Sequence, residues 1–85
     1  MIISFHPQAW EDYLHWQKSD RPRLRRINAL IRAVLEDAER GIGKPEPLKF
    51  NFSGYWSRRI DDEHRVVYKV ADEEIILAQL RGRYD

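Results

Sequence analysis

An apolar stripe constrains this chain most: Leu24, Ile27, Leu30, Ile31, Val34, Leu35 and Ala38 recur at three- and four-residue spacing. That period, held over about four turns, belongs to one side of an α-helix that must bury it against a partner. Asp20 can cap the start, and Gly41 predicts an end near that residue. The opposite side carries Arg21, Arg25, Arg32 and Glu36, as a solvated or anion-facing surface would.

The rest of the chain must supply the partner. Residues 1–5 are apolar and β-branched enough for a strand, and Pro7 suits an early helical position, where its missing N–H is harmless. A helix over 7–18 would place Trp10, Tyr13, Leu14 and Gln17 on one face, with Trp10 and Leu14 in the core. Gly41, Gly43, Pro45 and Pro47 then forbid helix, so 41–47 reads as a loop of restricted shape. Strand-like runs follow at 55–60, 64–70 and 74–80, with hairpin-sized gaps between them. The expected order is β-α-α-β-β-β: an α+β fold with a twisted antiparallel sheet, two helices packed on one face and the other face open. A chain of 85 residues is too short to divide, so 1–85 is expected to form one domain. With no cysteine, the core must stabilise it unaided, and three Trp, four Tyr and three Phe supply large buried area.

Charge is distributed in clusters that the net value of +1 conceals. Arg21, Arg23, Arg25, Arg26 and Arg32 crowd one segment, and Lys44, Lys49, Arg58, Arg59 and Arg65 another. Either cluster could meet a polyanion, or simply keep a small domain soluble. No stretch has the length and apolarity of a membrane span, and no charged segment followed by an apolar run opens the sequence, which predicts a cytoplasmic protein without membrane contact.

The residues that stand out chemically are Glu46, Lys49, Arg59 and Arg65. One carboxylate among cations is what cleavage of a phosphodiester by its own 2'-hydroxyl requires. The carboxylate takes the proton, and the cations steady the charge gathering on phosphorus, without a metal or other cofactor. His6, His15 and His64 are too scattered for metal-ligand spacing, and Ser53 and Ser57 lack a nucleophile-elbow motif. In a strand over 64–70, His64, Val66, Tyr68 and Val70 point one way and Arg65, Val67 and Lys69 the other. The apolar row should face the helices, which puts Arg65 on the open face with Arg59 beside it across the turn. The plainer alternative is an exposed Arg65 paired with Asp61 or Glu63. Tyr55 and Trp56 could stack on bases or fill the core, and Trp56 reads as core. His64 reads as a hairpin-end histidine satisfied by backbone.

The run Gly43-Lys44-Pro45-Glu46-Pro47-Leu48-Lys49, followed by Phe52-Ser53-Gly54-Tyr55-Trp56-Ser57-Arg58-Arg59-Ile60 and Glu63-His64-Arg65-Val66-Val67-Tyr68, resembles the YoeB toxins. Trp10-Glu11-Asp12-Tyr13-Leu14 and Ile27-Asn28-Ala29-Leu30-Ile31 extend the likeness over nearly the whole chain. The resemblance implies a RelE-like fold and a ribosome-dependent mRNA endoribonuclease cutting at the A site. It also implies a YefM-like antitoxin, the 70S ribosome and mRNA as partners, and suggests a homodimer that no spacing here specifies. By the same resemblance Glu46 is the general base, Arg65 the phosphate-stabilising residue, and Lys49 and Arg59 supporting cations; Lys44 and Arg81 join them as candidate RNA contacts.

Two departures matter. The family usually ends in an aromatic-His-Tyr tail whose His is the general acid, whereas Arg83 stands here before Tyr84. A guanidinium releases protons too reluctantly for that task, though it can stabilise charge. Either the enzyme is attenuated, or Arg83 and Tyr84 stabilise the leaving group together. The family also commonly carries a Pro-Phe pair where Ala38-Glu39-Arg40 stands, which predicts a longer second helix. Three rival readings remain open. One is a non-catalytic RelE/ParE-superfamily protein that binds antitoxin and ribosome, another a gyrase inhibitor, and the third a nucleic-acid-binding regulator. Glu46 among the cations argues against a pure binding surface.

Overall fold

The computed structural model describes residues 1–83; the expectation for Tyr84 falls outside the described residues. Strand β1 (Ile2–Phe5) leads into helix α1 (Pro7–Ser19) and helix α2 (Arg21–Glu36). The chain returns as β2 (Glu46–Pro47), a single 3-10 turn (Phe50–Phe52), β3 (Trp56–Arg59), β4 (Arg65–Ala71) and β5 (Glu74–Gln79). Sheet order is β1-β5-β4-β3-β2. The expected two helices on a sheet are present, with two refinements. Part of the expected 41–47 loop, Glu46 and Pro47, pairs with β3 as an added edge strand. The outer strand β1 runs parallel to β5, so the sheet is mixed rather than wholly antiparallel. A four-residue apolar strand carries no sign of its pairing direction, because side-chain alternation is the same either way.

The core lies between the helices and one face of the sheet. Ile27, Leu30, Ile31 and Val34 of α2 meet Val66 and Tyr68 of β4 and Ile75 and Leu77 of β5. Asp20 caps α2, its Oδ1 accepting from the Arg23 N–H at 3.0 Å. The helix stops at Glu36, earlier than expected, leaving Leu35 38% exposed and Ala38 beyond its end. The cause is Arg58, fully buried under the following loop. Its Nη1 donates to the Ile42 carbonyl and its Nη2 to those of Asp37 and Arg40, so these carbonyls bond to a side chain instead of extending the helix. Arg58 is therefore removed from the predicted polyanion-binding cluster. Gly43 lets this loop close: its φ is +88°, its carbonyl accepts from the Arg59 N–H at 2.6 Å, and a Cβ there would lie 2.6 Å from Leu30 Cδ2.

Helix α1 corrects the sequence expectation. Trp10 and Leu14 are 47% and 37% exposed, while Ala9, Asp12 and Trp16 face inward. Polar anchoring decides this orientation. The Leu80 N–H donates to Asp12 Oδ2 at 3.0 Å, and Trp16 Nε1–H donates to the Leu80 carbonyl at 2.9 Å. Both backbone groups of one residue after β5 are thus held by α1, and the buried carboxylate has hydrogen-bond donors, the Leu80 N–H and Gln8 Nε2, in place of water. Trp10 lies at the rim instead, stacked on Tyr13 and edge-on to Phe5. Among the described residues no helix is long and apolar enough to cross a membrane.

Candidate active site

Strand register places the candidate residues. Glu46 pairs with Ser57, Ser57 with Val67, and Arg59 with Arg65. Residues paired across strands share a face, as do residues two apart along a strand. Glu46, Ser57, Arg59, Arg65 and Val67 therefore lie on one face, whereas Arg58 pairs with Val66 and faces the helices. Glu46 and Arg65 are two strands and one alternate position apart, on the order of 10 Å between backbones.

Glu46 and Arg59 are exposed, but Arg65 is 8% exposed, against the expectation of an open side chain. Its Nη1 donates to the Asp61 carbonyl at 2.7 Å and to the His64 carbonyl at 3.1 Å. The alternative of an ion pair with the Asp61 carboxylate is not what forms, because that carboxylate is engaged elsewhere. Its Oδ1 accepts from the backbone N–H groups of Glu63 and His64, and its Oδ2 from Arg23 Nε at 2.6 Å. Burial would push the Asp61 carboxyl up, but the His64 N–H, the Arg23 guanidinium and the Glu63 N–H outweigh it and hold it below the usual carboxylate range. Arg65 is thus fixed by neutral carbonyls, a cation held in place before any anion arrives.

The C-terminal segment is tied to the same turn. The Arg65 N–H donates to the Gly82 carbonyl at 3.0 Å, and the Gly82 N–H donates to His64 Nδ1 at 2.8 Å. His64 is buried and satisfied by backbone, as its place at the hairpin end suggested, and in its neutral form the proton resides on Nε2. Arg83 Nη2 donates to the Asp62 carbonyl at 2.8 Å, so Arg83 comes to the β3–β4 turn that holds Arg65. Arg81 goes elsewhere: its guanidinium carbon lies 6.0 Å from the Trp16 ring centroid, against α1. Trp56 packs against the core, and the Tyr55 ring receives Lys69 Nζ at 5.5 Å. Among the described residues no cluster of His, Cys, Asp or Glu could hold a metal ion.

Lys44 and Lys49 are both exposed on either side of β2. Beyond β2, the chain borders an open groove of about 420 Å³ with Glu46 and Lys49 in its wall. Phe50 and Asn51 line it as well, and sequence reasoning passed over them. The available signal was an aromatic and an amide set between a lysine and the Ser53-Gly54 turn.

Fold and site together define a class of small helix-on-sheet proteins whose helix-free sheet face presents one carboxylate among cations. Comparison with known proteins narrows that class. The family described as YoeB-like toxin of bacterial type II toxin-antitoxin system matches residues 5–84, and the chain belongs to this family. Toxin YoeB of Streptomyces coelicolor is 54% identical over 84 residues, covering 99% of this chain and 100% of that protein. The solved YoeB/ParE toxin from Agrobacterium tumefaciens superposes with a TM-score of 0.96 at 42% identity, over 99% of this chain and 100% of that one. A heterotetrameric YoeB-YefM toxin-antitoxin complex from Staphylococcus aureus contains a chain with a TM-score of 0.91 and 45% identity, over 99% of this chain and 98% of that one.

Proposed function

We propose that this toxin-family chain is a ribosome-dependent endoribonuclease that cuts mRNA at the A site and so stops translation. The observation that carries the reading is the shared sheet face of Glu46, Arg59 and Arg65. Glu46 takes the proton of the ribose 2'-hydroxyl, the 2'-oxygen bonds to phosphorus, and the bond from phosphorus to the 5'-oxygen breaks. The products are a 2',3'-cyclic phosphate and a 5'-hydroxyl, whose oxygen ends with the proton. Arg65 stabilises the negative charge on the non-bridging oxygens. Lys44, Lys49 and Arg59 hold the RNA backbone, while Arg83 and Tyr84 stabilise the departing 5'-oxygen. The route needs no metal. By analogy with the Staphylococcus aureus complex, a YefM-like antitoxin neutralises the protein; both would act in the cytoplasm.

Purified protein added to ribosomes programmed with a defined mRNA should yield fragments cut at the A-site codon. Glu46→Gln should slow this by about 100-fold to 10,000-fold, the usual worth of general base catalysis. Intact mRNA with the parent protein would remove the reading. Arg83 in place of a titratable acid favours one rival, a toxin that binds antitoxin and ribosome without cutting, and the same assay separates the two.

A further inference from the structure

Phe50 is the most exposed large apolar side chain described in the molecule, at 92%, and its backbone sits at φ +56°. Either property alone is unfavourable: an aromatic ring left in water forgoes its burial, and a bulky residue rarely adopts the left-handed region. Their combination persists only where the surrounding chain enforces it. Here it does. The Phe52 N–H donates to the Lys49 carbonyl, the Ser53 N–H to the Phe50 carbonyl, and the Tyr55 N–H to the Phe52 carbonyl. The Leu48 N–H donates to the Tyr55 carbonyl at 2.9 Å, closing the base of the turn over a buried Leu48 side chain. A tied turn therefore presents the ring to solvent in the wall of the groove that also holds Glu46 and Lys49.

We infer that Phe50 is a substrate-stacking residue, whose ring receives the base of a nucleotide flanking the bond that Glu46 acts on. The inference rests on the proposed ribonuclease function and names how that site grips its substrate. A single-stranded RNA offers a π-face on every base, and a base stacked on Phe50 would bring its phosphate towards Lys49 and its ribose towards Glu46. Stacking tolerates any base, so Phe50 fixes position rather than sequence.

The test uses the full chain on programmed ribosomes with Phe50→Ala, Phe50→Leu, Phe50→Tyr and Phe50→Trp. Loss of one base–aromatic stack should weaken the Ala and Leu variants roughly tenfold to hundredfold in kcat/KM, while Tyr and Trp stay within about threefold of the parent. Leu matching the parent would mean that apolar contact suffices, and the inference would be wrong. A second arm works without cleavage: Glu46→Gln protein, with and without Phe50→Ala, is titrated with a fluorescein-labelled oligoribonucleotide. Addition of Phe50→Ala should lower affinity about tenfold or more, and equal affinity overturns the inference even if the parent cuts mRNA. A parent that does not cut removes the proposed function, and the binding arm still decides Phe50. Loss of binding to a YefM-like antitoxin, with cleavage and RNA affinity unchanged, would assign the ring to the protein partner and overturn stacking.

Discussion

Arg58 and Arg59 are adjacent, identical in chemistry and opposite in role. Strand alternation sends Arg58 to the helix side, where its guanidinium accounts for three loop carbonyls and the Tyr68 hydroxyl, and leaves Arg59 on the open face opposite Arg65. Removing Arg58 strands buried acceptors, each costing about 1–3 kcal/mol, whereas removing an exposed cation changes stability by about 0.5 kcal/mol or less. Arg58→Met should therefore lower the urea midpoint by an amount equal to about 3 kcal/mol at unchanged m-value, and Arg59→Met should leave it in place while reducing mRNA cleavage. Equal stability of the two variants would contradict the burial argument. Arg83 belongs to the same scale. It reaches the turn that holds Arg65, but a guanidinium is a poor general acid. Arg83→His supplies a group with an ordinary pKa near 6.5, so cleavage should rise by up to about 100-fold and rise further as pH falls towards that value. A variant no faster than the parent at any pH would show that no proton donor is missing.

Between residues and the whole stand the elements, where the sequence was legible to differing degrees. The α2 stripe declared itself because its period and Asp20 cap are local signals, and the three main strands did so because each is a short run rich in aromatic or β-branched residues bounded by turn residues. The candidate site was legible for a related reason: parity along β3 and β4 already put Arg59 and Arg65 together. What escaped depends on contacts distant in sequence. The inward face of α1 is set by Asp12 and Trp16 bonding to Leu80, sixty-eight and sixty-four residues away, and no apolar periodicity reports a buried carboxylate. The early end of α2 is set by Arg58, which composition alone grouped with the surface cations. Tyr68 is part of the same clamp, donating to the Ala38 carbonyl at 2.6 Å and accepting from Arg58 Nε, and burial pushes its hydroxyl pKa up despite the nearby guanidinium. The helix end, the loop before Glu46 and strand β4 are consequently joined into one unit by a single buried hydrogen-bond network.

At the scale of the molecule, Asp61 joins that unit to the catalytic candidates. Its carboxylate ties the β3–β4 turn to Arg23 near the start of α2, and its carbonyl holds Arg65. Asp20 bonds the same Arg23 guanidinium at 2.7 Å, and its carboxyl is also held low, first by the Arg23 backbone N–H. Because the folded pKa of Asp61 is depressed, the unfolded chain binds more protons between the two values. The stability this carboxylate contributes is then fully present above the unfolded pKa of about 3.9 and disappears as pH falls through the folded value. Asp61→Asn should accordingly be less stable than the parent by on the order of 1 kcal/mol at neutral pH, since an amide accepts the same N–H groups more weakly and forms no ion pair. The difference should be constant from pH 7 to about pH 5 and shrink progressively below about pH 4, as read from urea midpoints across that series. A difference that does not shrink below about pH 4, or that changes between pH 5 and pH 7, would show that the turn is held by something other than the ionised carboxylate.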